Sequence, residues 1–168
     1  MRVGWRLQHH GWAVCALRDD AAYGEALVSY VTDGPEEFLT AVARIVLGQT
    51  HSRVQFEAEP AAYRLNFQRD RSEVDIRLSH VRTRDLPDEA GTTVWTSRQP
   101  LTVLARAVIR AFDAVDAEHG EAGYLSAWGR PFPRTELSAL RSAWHGIRRQ
   151  PAADRSGAVG AAKLFTAS

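Results

Sequence analysis

The sequence is poor in several features, and each shortage removes a class of explanation. A single cysteine, Cys15, among 168 residues rules out an intramolecular disulfide framework and fits a reducing compartment. Beside Val14 and Leu17 it reads as a small buried hydrophobe and not as a nucleophile. No apolar run approaches the length of a membrane span. Near the N-terminus, Trp5, Arg6, Gln8, His9 and His10 occupy the place where a signal peptide needs an uninterrupted apolar core, so a cytoplasmic location is expected, with no membrane partner. Charge of one sign is also lacking. A net charge of +1 supplies no global field for a polyanion, which argues against nucleic acid as the partner. Lysine is almost absent, Lys163 standing against 20 arginines, a bias expected of a GC-rich bacterial coding sequence and not a device for binding phosphate.

Catalytic signatures are missing too. The six histidines form no H-x-x-x-H, H-E-x-x-H or Cys/His pattern, and there is no G-x-S-x-G, Gly-rich phosphate loop or dinucleotide fingerprint. No metal and no cofactor are therefore expected, and enzymatic activity is less favoured than binding.

What the chain does have is alternation. Over residues 53–81, Val54, Phe56 and Ala58, then Tyr63, Leu65 and Phe67, then Val74, Ile76 and Leu78 point one way, with polar residues between them. Period two over three consecutive segments predicts an antiparallel meander with one face on a core and one face wet. Upstream, Val3–Gln8, Trp12–Arg18 and Glu25–Val31 read as strands. Asp33-Gly34-Pro35-Glu36 announces a helix, with Asp33 as cap and Phe38, Leu39, Val42, Val46 and Leu47 as its apolar face. Thr92–Ser97 gives one more strand, Pro100 opens the longest helix, and Arg134–Arg149 forms the last. Between those two helices, Gly120, Gly123, Gly129, Pro131 and Pro133 predict an interrupted segment.

The order βββ-α-ββββ-α-α predicts an α+β fold with a single antiparallel sheet of about six to seven strands and three helices. Residues 1–149 form one domain. Residues 150–168, rich in Ala, Gly and Ser, read as a tail in which Leu164 and Phe165 are the residues able to dock.

Three groups of residues carry candidate chemistry. The outward meander residues Glu57, Glu59, Arg64, Asp75 and Arg77 form a mosaic of both signs, either cross-strand ion pairs on a wet face or a surface for a protein partner. His119, Glu121, Tyr124 and Trp128 either edge a small pocket with a general base or mark a helix end plugged by aromatics. Arg134, Arg141 and Arg148 recur every seven residues along one edge of the last helix, where they either bind phosphate or pack over the core and pair with carboxylates.

Several stretches taken together, Ser29-Tyr30-Val31-Thr32-Asp33, Phe38-Leu39-Thr40-Ala41-Val42, Phe56-x-x-Glu59-Pro60-x-x-Tyr63-Arg64, and His119-Gly120-Glu121 with Tyr124 and Trp128 before Pro131-Phe132-Pro133, carry a resemblance. The set resembles a family of small, uncharacterised actinobacterial proteins over roughly residues 3–145. In general build it is similar to cytoplasmic immunity proteins of bacterial toxin systems. The resemblance implies no catalytic residues. The expectation is a non-enzymatic protein-binding module, an immunity or accessory protein acting through the polar sheet face. A small enzyme using the 119–128 region and a nucleic-acid binder using the arginine edge are its alternatives.

Overall fold

The computed structural model describes residues 1–8 and 10–149. The tail, with Leu164 and Phe165, lies outside the described residues. Three strands open the chain: β1 (Arg2–Leu7), β2 (Trp12–Arg18) and β3 (Tyr23–Ser29). Helix α1 (Gly34–Val46) follows, then β4 (His51–Ala58), β5 (Ala61–Asp70), β6 (Glu73–Val81), a short 3-10 turn (Asp88–Ala90) and β7 (Thr92–Pro100). Two helices close the domain, α2 (Leu101–Trp128) and α3 (Arg134–Arg149).

The class is α+β and the element order is as expected, but the single sheet is not formed. The strands make two antiparallel sheets, β1-β2-β3 and β4-β5-β6-β7. After β3 the chain enters α1 instead of continuing the ladder, and β3 lies across the second sheet without hydrogen-bonding to it. Gly24 of β3 marks the contact. A Cβ there would fall 2.6 Å from Trp95 Cβ, while Trp95 Nε1 donates to the carbonyl of Ala22 at 3.3 Å. The inner faces of the two sheets thus meet at one corner, where only a residue without a side chain fits. Alternation tells which face of a strand is apolar; it does not tell which edge pairs with which.

Helix α1 packs on β4 and β5 and against α2 and α3, with Phe38, Leu39, Ala41, Val42, Ile45 and Val46 at most 2% exposed. Its start departs from the expected cap. Asp33 makes no side-chain capping bond and instead pairs with Arg130. At the other end Arg69, reaching over from β5, donates from Nη1 to the carbonyls of Ile45 and Val46 at 2.7 and 3.0 Å, satisfying acceptors a helix terminus leaves open.

Helix α2 runs further than its glycines suggest. It bends at Gly120, whose φ of 60° and ψ of −178° are non-helical, then continues to Trp128 and ends on Gly129 in the left-handed conformation. The Gly120 kink sets the direction of the last two turns, which bury Tyr124 and Trp128 at i, i+4 spacing. Cys15 is fully buried in the same core, and desolvation pushes its thiol up to about 12.

The corner contact makes a direct prediction. Gly24→Ala forces an extra carbon into a closed site and is expected to destabilise the fold by about 1–3 kcal/mol. Chemical denaturation checks this, with Gly146→Ala, where nothing lies within 4 Å, as the tolerated control.

Candidate functional site

The outer face of the four-stranded sheet is not uniform. Cross-strand register groups its outward residues into rows: Gln55, Arg64, Ser79 and Thr93; then Arg53, Asn66, Arg77 and Thr96; then His51, Gln68, Asp75 and Arg98. The segment 82–91 between β6 and β7 folds over the middle of the first row, burying Arg64 and Ser79 and leaving Thr93 at its end exposed.

Under that segment two of the expected surface charges are interior. Glu57 and Arg64 are each only 4% exposed, against the expectation that both project into solvent. The alternation correctly keeps them off the aliphatic core, but the loop after β6 makes a second interior on the other face. Arg64 is fully engaged: Nη1 donates to Asp88 Oδ1 at 2.7 Å, Nη2 to the carbonyl of Arg84 at 2.7 Å, and Nε to Gln55 Oε1 at 2.8 Å. Gln55 passes the network on, its Nε2 donating to Glu57 Oε1 at 2.9 Å, and Arg84 Nε lies 4.0 Å from the same carboxylate. A desolvated guanidinium is tolerable only with such a complete set of acceptors. Glu59, at the β4–β5 turn, is exposed and accepts from Ser29 Oγ at 3.2 Å, so it belongs to the junction of the two sheets and not to the meander face.

The other two expected residues, Asp75 and Arg77, do lie on open surface. With His51, Arg53, Asn66, Gln68, Thr96 and Arg98 they line a shallow concavity of about 860 Å³. Its outer end is an ion-pair cluster in which Arg98 holds Asp70, Glu73 and Asp75 at 2.7, 2.5 and 2.9 Å. Hydrogen bonds from Arg98 hold Asp70 below the usual carboxylate range, and the same bonds raise Arg98. In the middle the situation is different. Among the described residues, the side chains of Asn66, Gln68, Arg77 and Thr96 make no hydrogen bond or ion pair. Arg53 reaches Asp88 at 3.1 Å and shares that carboxylate with Arg64. Arg53, Thr96 and Arg98 escaped the sequence reading because they join Asp75 and Arg77 only through register. The alternation covers only 53–81, and Arg98 lies beyond the strand expected at Thr92–Ser97, so nothing local tied them to the site.

The second expected site is closed. Tyr124 and Trp128 are fully buried, Tyr124 packing edge-on against Phe132 at 5.1 Å and Trp128 against Trp5 at 6.4 Å. Glu121 accepts from the Phe132 amide at 3.2 Å and from Arg134 Nε at 2.9 Å, tying down the approach to α3. His119 lies 3.8 Å from its neighbour Glu118. Tyr124 and Trp128 thus face the core, while Glu121 is engaged by the approach to α3. The arginine edge is likewise engaged. Arg134 pairs with Asp116 and Glu121, Arg141 pairs with Asp113, and Arg148 stacks over Trp144 at 4.8 Å. Arg134 and Arg141 fasten α3 to α2, while Arg148 covers Trp144 within α3 itself.

Some buried polar atoms among the described residues are unmet, the Nε1 atoms of Trp5, Trp128 and Trp144 among them. Glu36 Oε2, Thr32 Oγ1 and Tyr124 Oη are closed from solvent and have no hydrogen-bond partner among the described residues. Burial raises the Glu36 carboxyl, and the negative charges of Asp33 and Glu136 add to the effect. Burial, reinforced by Glu36 and Glu121, raises the Tyr124 hydroxyl as well. Among the described residues no group of three or more His, Cys, Asp or Glu side chains is placed to hold a metal ion. No helix among them is long and apolar enough to cross a membrane. No protein-family model matches the chain, and no curated protein matches it.

Two outcomes follow. Arg64→Ala, which strands Asp88, Gln55 and a loop carbonyl, is expected to cost about 2–4 kcal/mol, whereas Arg77→Ala stays within about 0.5 kcal/mol; equal melting curves for the two would refute the burial argument. For Glu36 the folded-state pKa is raised, so its contribution to stability is greatest below the unfolded carboxylate value and is lost as pH rises through the folded value. Glu36→Gln should therefore melt higher than wild type at neutral pH, with the difference vanishing in acid, as followed by thermal unfolding across pH.

Proposed function

We propose that this protein is a non-enzymatic protein-binding module, of the immunity or accessory kind, that engages a protein partner through the open part of the outer face of β4-β5-β6-β7. The observation that carries the reading is the group Asn66, Gln68, Arg77 and Thr96, exposed or half-buried in a concavity and with side-chain bonding capacity unused within the fold. Polar groups so arranged lose little on exchanging water for a partner and give orientation and specificity. The alternatives have less behind them. At His119, Glu121, Tyr124 and Trp128 the two aromatics are buried and Glu121 is engaged by Arg134 and the Phe132 amide, and the Arg134, Arg141 and Arg148 edge is occupied by α2 carboxylates and Trp144. A cytoplasmic setting belongs to the same proposal and is supported by the lone, buried Cys15.

Affinity capture from the native host tests it. The full chain is expected to retain a protein that Arg77→Glu fails to retain, while Arg106→Glu, on the exposed side of α2, captures it as wild type does. A partner held equally by the Arg77 variant would place the interaction elsewhere.

A further inference from the structure

We infer that what the open face receives is an acidic protein segment, its carboxylates set across the strands on the row Arg53, Asn66, Arg77 and Thr96. This rests on the proposed binding face and adds the chemistry of the partner. The four residues are successive cross-strand partners, one from each strand of the sheet. With strands about 4.8 Å apart, the two guanidinium-bearing positions stand about 10 Å apart and an amide lies between them. A guanidinium offers a planar fork of donors matched to a carboxylate.

The local charge is uncompensated in the middle of the face. Asp88 serves both Arg53 and Arg64, and Arg77 has no carboxylate partner. Asp75, the nearest acidic position along β6, is bonded to Arg98. The row therefore carries an excess of positive charge, while at the β5–β6 hairpin end the three carboxylates Asp70, Glu73 and Asp75 outnumber Arg98 and the neighbouring Arg71. That polarity decides between two acidic ligands. A nucleic-acid backbone laid along the strands would bring phosphates against three carboxylates, whereas a short run of carboxylates crossing the strands meets only the positive row. A chain of net charge +1 also lacks the wider field that polyanions exploit.

The test uses three labelled probes on the full chain: a peptide alternating glutamate and serine, the same peptide with every glutamate replaced by glutamine, and a single-stranded oligonucleotide of similar length. The acidic peptide is expected to bind, to shift the amide resonances of Asn66, Arg77 and Thr96, and to weaken as salt is raised. Arg77→Ala should lower its affinity roughly tenfold, a loss of about 1.4 kcal/mol, and Arg106→Ala should leave it unchanged. Absence of binding, equal binding of the glutamine peptide, indifference to Arg77→Ala, or tighter binding of the oligonucleotide would each overturn the inference. The proposed function fails separately. A captured host protein that depends on Arg77 but contacts the row with a neutral or basic segment would leave the binding module standing and remove the acidic ligand. Capture that ignores Arg77 removes the binding face itself.

Discussion

Phe38 holds this fold together. Its ring lies 6.2 Å from Trp5 in the first sheet, 5.9 and 6.5 Å from Phe56 and Phe67 in the second, and 6.3 Å from Phe112 in α2. A single residue in the first turns of α1 thus meets both sheets and α2. Trp5 closes the cluster by reaching Phe56 at 5.9 Å and Phe112 at 5.3 Å. Aromatic side chains bury large areas and prefer such edge and offset contacts, so this cluster fixes where α1 sits. The chain enters α1 between β3 and β4, and these two strands approach each other without hydrogen-bonding into one ladder.

The alternation over 53–81 was legible because burial on one side leaves a period-two imprint that needs no knowledge of partners. Phe56, Leu65, Phe67, Val74, Ile76 and Leu78 all lie in the core, at most 2% exposed. The two-sheet arrangement left no such imprint. It depends on Gly24 passing over Trp95, a contact between residues 71 positions apart whose types alone signal nothing. The 3.6-residue period was legible in α2 up to Val115, but Gly120 gave the same signal for a bend as for an end, and only the burial of Tyr124 and Trp128 distinguishes the two.

The candidate face shows the same division between local and global information. Asp75 and Arg77 were placed on an outward face by parity, and they are outward. Glu57 and Arg64 have the same parity and are interior, because residues 82–91 return across the sheet. Leu86 and Pro87 gave no hint of what they would cover. Asp88 is the decisive residue: it lies in the loop, yet it is the carboxylate that makes burial of Arg64 tolerable. Sequence identifies such a residue as a turn former; only the register of Arg53 and Arg64 shows what it neutralises.

The loop bound by Arg64 also sets a width. Successive outward rows on a strand are about 7 Å apart. Two rows, one through Glu57, Ala62 and Val81 and one through Gln55, Arg64 and Ser79, are covered at the end of the sheet where residues 82–91 lie; two are open, the second holding Asp75 and Arg98, and beyond them stands the β5–β6 hairpin. What remains is a strip about 14 Å across. An α-helix with its side chains is about 10–12 Å thick, and an extended strand is thinner. The uncovered part of the sheet therefore has the calibre of one secondary-structure element: a lone helix or strand lies flat on it, and a broad globular surface is held off by the loop.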